Sequence, residues 1–271
     1  MDIPTEPRPD RRRRRRVVAW IAGGVAVLVV LGAIGIWWFF RGDAPAEVSL
    51  DAAAAALDEA AEPSGTTEPE VTPDTTTAGT AAAVTSDGIA GTWTVDPSIG
   101  TFSFDDSTGT FVGFRVEEQL SGIGSTTAVG RTPAVTGTMA IEGTTVASVS
   151  IEADMAAMVT NDSRRDDKAQ DALETDEFPS ATFVLTEPIE LGDAAASGEA
   201  VQVDATGELT VHGTTNPVSI PLEAQLVDGV VVVVGSVPVV FADYGVSVPS
   251  APIVVSAEDH GIIELQLFFA T

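Results

Sequence analysis

The chain is 271 residues long, with 40 acidic residues against 13 basic ones, a formal net charge of −27 and no cysteine. An excess of negative charge this large repels nucleic acid and anionic headgroups, which argues against nucleic-acid binding. The missing cysteines exclude a disulfide framework, thiol chemistry and anchoring through an N-terminal lipidated cysteine, so the folded part must hold together by its apolar core.

The first 16 residues form a basic tail ending in six arginines, Arg11 to Arg16, and an uncharged run follows from Val17 to Phe40. As a helix, this run would be about 36 Å long. That is enough to cross a hydrocarbon core of roughly 30 Å with some tilt. Trp37 and Trp38 stand near its end, where amphipathic rings favour the interface. Basic flanks stay in the cytoplasm, so the pattern predicts a signal-anchor helix over 17–40, with the N-terminus inside and everything after Arg41 extracytoplasmic. A cleaved signal peptide ending at Ala44-Pro45-Ala46 is the alternative, but its apolar core is ordinarily much shorter. Charge divides at the same place. Eight of the basic residues and three of the acidic ones lie at or before Arg41, leaving five against 37 beyond it, a formal −32.

Residues 41–90 are rich in Ala, Thr, Glu, Pro and Ser. Asp51 to Ala61 fits a short helix with Ser49 or Asp51 as N-cap. The proline-rich polar stretch after it cannot bury a core, so 41–90 reads as a tether with an r.m.s. span of roughly 40 Å.

From Gly91 onward the pattern is β. Strands are predicted over Thr92–Asp96, Thr110–Glu118, Ala134–Glu142, Thr145–Asp154, Ala181–Leu191, Val201–His212, Pro217–Leu226, Val230–Val240 and Ile262–Phe269. The one break, Asn161–Glu177, reads as a polar surface helix or an ordered loop. Eight or nine antiparallel strands in this length make an all-β closed barrel or a sandwich. An eight-stranded barrel is just wide enough to hold one small ligand. Phe102, Phe104, Phe111, Phe114, Phe183 and Phe241 supply more aromatic bulk than a minimal core requires, although ordinary core packing would also use them.

Four segments carry a resemblance to a known family. Gly91-Thr92-Trp93-Thr94-Val95-Asp96-Pro97 leads into Thr101-Phe102-Ser103-Phe104. Asn161-Asp162-Ser163-Arg164-Arg165-Asp166 precedes Phe178-Pro179-Ser180-Ala181-Thr182-Phe183. Gly207-Glu208-Leu209-Thr210-Val211-His212-Gly213-Thr214-Thr215 makes a turn, and Asp243-Tyr244-Gly245 a late loop. In this order they resemble the YceI-like family of lipocalin-like, polyisoprenoid-binding barrels, over residues 91–271. The resemblance implies an eight-stranded antiparallel barrel with an apolar tunnel for an isoprenoid chain. It places Phe102, Phe104, Phe111, Phe114, Phe183, Leu209, Phe241 and Tyr244 as candidate tunnel lining. It places Arg165, Asp166 and His212 at the mouth or its loops. Phe114–Gln119 contains no histidine where the family usually has one.

Each polar candidate has a plainer reading. His212, ahead of Gly213, fits a turn histidine bonded to neighbouring backbone. Arg165 and Asp166 would either meet a headgroup at the mouth or fix their loop by charge-assisted hydrogen bonds. His260 fits an exposed turn. Two separated histidines without cysteine do not make a zinc site, and no calcium loop, nucleophile elbow or nucleotide-binding glycine loop is present. No metal or covalent cofactor is expected. The expectation is a non-enzymatic, membrane-anchored extracytoplasmic protein whose partners are the cell membrane, through 17–40, and an isoprenoid lipid or quinone. The alternative is an interaction domain whose barrel is filled by side chains. A hydrolase with a site assembled by folding has the least support.

Overall fold

The computed structural model describes residues 44–61, 88–121, 124–247 and 254–271. The expected membrane helix over 17–40 lies outside them. No helix among the described residues is long and apolar enough to cross a membrane.

Thirteen strands run β1 Gly91–Val95, β2 Phe111–Leu120, β3 Gly124–Thr132, β4 Val135–Glu142, β5 Thr145–Asp154, β6 Val159–Thr160, β7 Ser180–Leu185, β8 Ile189–Glu190, β9 Val201–Val211, β10 Thr214–Val227, β11 Val230–Val240, β12 Val254–Ala257 and β13 His260–Ala270. Among the described residues, three helices accompany them: α1 Leu50–Ala61, α2 Ser163–Leu173 and α3 Gly192–Ala196. Eight strands close a barrel in the order β1-β4-β5-β7-β9-β10-β11-β13. Closure comes from β13 returning to β1, with Thr94 opposite Ala270 and Val95 opposite Phe269. Every pairing in the ring is antiparallel. The other end of β13 pairs with β2 from Ile262–Arg115 to Gln266–Phe111. The β2–β3 hairpin, with β6 and β12, therefore extends the sheet beyond the ring.

Turn chemistry sets the long hairpins. Between β9 and β10, His212 and Gly213 have φ of 50° and 69°; between β10 and β11, Asp228 and Gly229 have 48° and 84°. Two consecutive left-handed residues match the right-handed twist of the flanking strands, and Asp-Gly is a favoured pair for it.

The predicted strands appear within a few residues of their expected bounds, with three differences. Ala181–Leu191 divides into β7 and β8 around Pro188, which lacks a ladder donor. β3, with the short β6 and β12, falls outside the predicted strands; β3 is held by nine paired positions on β2 rather than by its own alternation. The third difference is the docking of residues 44–61.

That docking follows from β11. Val231, Val232, Val233 and Val234 are all buried, so both faces of the strand are covered. Val231 and Val233 point into the main core with Leu267 and Phe269. Val232, Val234 and Phe268 point outward, and Leu50 and Ala53 of α1 cover them, with Leu57 alongside. Positions 50, 53 and 57 fall on one helical face. Ser49 Oγ accepts from the Ala52 amide at 3.3 Å, capping the helix as expected. Residues 44–61 are therefore packed on the barrel and not part of a tether, while residues 62–87 of the expected tether lie outside the described residues.

A buried charge cluster lies under the same strap. Glu264, on the outward face of β13, is 1% exposed. Its Oε2 accepts from Arg115 Nε at 2.7 Å, and its Oε1 accepts from Arg131 Nε at 2.9 Å. Arg115 Nη2 donates to the carbonyl oxygens of Pro45 (2.7 Å) and Ala46 (2.6 Å). Arg131 donates to Ala46 and Phe104 carbonyls, both at 3.0 Å, and its guanidinium lies 4.3 Å from the Phe111 ring centroid. Two buried cations facing one carboxylate need further acceptors, and backbone carbonyls of the strap and the 96–110 loop supply them.

Candidate functional site

Strand alternation turns one face of every barrel strand inward, and in this chain that face is apolar. It encloses a cavity of about 140 Å³. Lining side chains include Met139 and Ile141 on β4, Val149, Ile151 and Ala153 on β5, Val203 and Ala205 on β9, Leu222 and Ala224 on β10, and Leu265 and Phe269 on β13. The lining runs from Val146 to Ala153 along β5, roughly 24 Å of strand. The polar residues in its lining are Thr182, Glu199 and Gln225. Thr182 pairs with Glu152 and Thr210 on the outer face of its strand and borders the cavity between inward Ala181 and Phe183. An apolar cavity of this size stays dry and accepts an apolar guest.

The two ends differ. At the β5 start, the lining reaches exposed Glu199, half-buried Gln225 and Leu226. Gln225 Nε2 is already bound to the Gly198 carbonyl at 3.0 Å. Ile89 borders this end and is held by Trp93, whose indole N–H donates to the Ile89 carbonyl at 2.9 Å. At the β5 end, Met155 and Met158 are buried in the same cluster as Ala153, with Leu173 of α2 against it. The tunnel thus has a mouth beside α3 and an apolar floor beside α2.

Of the eight candidate lining residues, Phe183 and Leu209 line the cavity. Phe183 lies over Gly207, where an added Cβ would stand 2.6 Å from its ring. Phe114 packs against the main core from β2, its ring over Gly130 beside Met158. Phe111 faces outward beneath Arg131, and Phe102 and Phe104 lie in the loop before β2. Phe241 and Tyr244 belong to a 3₁₀ turn, Phe241–Tyr244, at the floor end of β11. The Phe241 ring lies over Gly261, and burial raises the Tyr244 phenol above its usual range. The face to which each phenylalanine points follows from strand register, which composition does not contain.

The three polar candidates also lie at the floor end. His212 Nδ1 meets the Tyr244 carbonyl at 3.1 Å, its Nε2 meets Glu174 at 3.1 Å, and its ring packs edge-on against Phe178 at 4.8 Å. It ties the β9–β10 turn to two neighbouring loops. Arg165 bonds Glu118 at 2.8 Å and Asn161 Oδ1 at 3.1 Å. Asn161 in turn holds the Val129 amide and the Thr127 carbonyl. Asp166 accepts from the Thr160 amide at 2.8 Å and from its hydroxyl at 2.7 Å, fastening α2 to β6. None of the three is in the cavity lining. His260 is exposed between Glu258 and Asp259, and its hydrogen bond to Asp259 raises its pKa. Among the described residues, no group of three or more His, Asp or Glu side chains is placed to hold a metal ion.

The model of the YceI-like domain matches residues 93–269. The chain belongs to the YceI-like family. Curated relatives include the UPF0312 proteins of Pseudomonas syringae pv. tomato and Pseudomonas savastanoi pv. phaseolicola, each 33% identical over 76 residues. That match covers 27% of this chain and 36% of each relative, so it spans about a third of their length. Among solved structures, Burkholderia cenocepacia BcnA is 18% identical over 65% of this chain and 99% of that one, with a TM-score of 0.48. A polyisoprenoid binding domain from Saccharophagus degradans is 17% identical over 66% and 98%, with a TM-score of 0.49. In this YceI-like chain, strand pairing closes the eight-stranded barrel that the resemblance implied.

Proposed function

We propose that this protein is a membrane-anchored extracytoplasmic carrier that holds the chain of an isoprenoid lipid in its barrel. The observation that carries the reading is the barrel cavity, whose lining is apolar apart from Thr182, Glu199 and Gln225. Burial of apolar surface would drive binding, at about 0.8 kcal/mol per CH₂ group removed from water. No pair of acid and base groups converges inside the cavity, and a chain needs none to be held there. The filled-barrel alternative requires large side chains at most inward positions. Ala153, Ala181, Ala205 and Ala224 instead keep the lining open.

The anchor is supported by the arginine run ahead of 17–40 and by the strap. Arg115 bonds the Pro45 and Ala46 carbonyls, so a chain kept intact through these residues completes the buried cluster, whereas cleavage after Ala46 would remove both acceptors. A C-terminal reporter active only in the cytoplasm would defeat the topology.

The binding test is organic extraction of the purified full chain, followed by uptake of a quinone with an isoprenoid tail. Wild type should carry or take up the lipid. Ala205→Phe, which places a ring in the cavity, should block uptake at a stability cost of about 1–3 kcal/mol. No lipid and no uptake by the folded wild type would leave the filled-barrel interaction domain as the better reading.

A further inference from the structure

Exposed carboxylates gather around the tunnel mouth. Six exposed carboxylates stand on the turns at the mouth end: Glu142, Glu187, Glu190, Asp193, Glu199 and Asp228. Their placement follows from pairing. Glu190 lies opposite Thr145 at the start of β5, Glu142 ends β4, Asp193 is on α3, and Asp228 turns β10 into β11. Among the described residues, the same end carries no lysine or arginine. Only five basic residues follow Arg41, and all are accounted for elsewhere. Arg115 and Arg131 are buried on the outer face against Glu264. Arg164, Arg165 and Lys168 are on α2. That helix lies between the end of β5 and the start of β7, where Asp154 pairs with Ser180. The length of β5 separates it from the mouth by roughly 30 Å of strand. This is several times the screening length of about 8 Å at physiological ionic strength, so those cations do not offset the rim.

Resting on the carrier reading above, we infer that the barrel takes isoprenoid lipids with uncharged heads, such as prenols and quinones, and rejects those ending in phosphate. A phosphate at this mouth would meet carboxylates, with no guanidinium, ammonium or helix of useful length among the described residues to receive it. An uncharged head faces no such repulsion, and the tail alone supplies the binding. The surface acts by excluding the wrong ligand, as specificity often requires.

The test compares geranylgeraniol with geranylgeranyl monophosphate, which share one tail, on the full chain with a chelator present to remove bridging divalent cations. At low ionic strength the alcohol should bind at least tenfold more tightly. The gap should narrow as salt is raised, because only the phosphate is repelled. It should also narrow in the double variant Glu187→Lys, Asp193→Lys, whose exposed positions lie outside the cavity lining. Equal binding of the two, or tighter binding of the phosphate, at low salt would overturn the selectivity and leave the carrier reading standing. No binding of either overturns both.

Discussion

Arg115, on β2, donates to the carbonyl oxygen of Ala46 at 2.6 Å, joining groups 69 residues apart in the chain. The bond explains why the folded unit begins before the polar stretch rather than after it. Arg115 and Arg131 share one carboxylate, Glu264, and the strap carbonyls satisfy hydrogen bonds that the carboxylate cannot. The outward valines of β11 are covered by the same segment. Polar and apolar reasons for docking coincide on one face of the barrel.

A chain beginning at Ser86 should therefore be less stable than one beginning at Asp43. Losing Leu50 alone forfeits roughly 1.5–3 kcal/mol, and Val232, Val234 and Phe268 return to water as well. Allowing for the order no longer imposed on the strap, a net loss on the order of 3 kcal/mol is expected. For a domain of this size the melting temperature should fall by roughly 6–12 °C. Calorimetry of the two chains is the check, and equal melting temperatures would show that the strap contributes nothing.

The Glu118–Arg165 pair yields a prediction in pH. Burial raises the Glu118 pKa above its ordinary value, and the nearby Arg165 charge partly offsets this. A raised folded pKa means that the folded state holds the proton more tightly than the unfolded state does. The stability linked to Glu118 is thus fully present below its unfolded pKa and is lost as pH rises through the folded one. Arg165→Met removes the offset, so the Glu118 midpoint should move further up, and carboxyl-resolved NMR titration reads it directly. A midpoint that falls or stays put would show that the ion pair does not set this titration.

The alternation of β9 and β10 was legible as strands because their apolar positions repeat at period two. β3 was not, because Gly124 to Thr132 has little alternation of its own and depends on β2 for its register. The docked strap left two traces that were open to reading. Val230 to Val234 is an unbroken apolar run, the mark of a strand buried on both faces. Leu50, Ala53 and Leu57 have the spacing of one helical face. The tunnel was legible as a class of cavity and not as a list of residues. Phe183 and Leu209 face inward, but Phe111, two positions after Gly109 in a chain emerging from a loop, turns its ring to the outside under Arg131.

Phe114 provides the last test, because its place separates core packing from ligand contact. Its ring occupies the space above Gly130, where an added Cβ would come within 2.4 Å of it, with Met158 sulfur at 3.0 Å. All three of the nearest atoms belong to side chains, so the crowding can be relieved by shortening the partner. Gly130→Ala should destabilise the barrel by about 1–3 kcal/mol. Phe114→Leu should also destabilise it, by opening a gap beside Met158. Combining the two should cost less than the sum, with a coupling of about 0.5–3 kcal/mol as expected for residues in contact. Lipid uptake should persist in Phe114→Leu, because that ring is not part of the lining, and should change in Phe183→Leu, because that one is. Denaturant unfolding of the four Gly130/Phe114 variants, with uptake measured on each folded protein, decides it. Additive costs would remove the packing argument, and loss of uptake in a stably folded Phe114→Leu would return Phe114 to the tunnel.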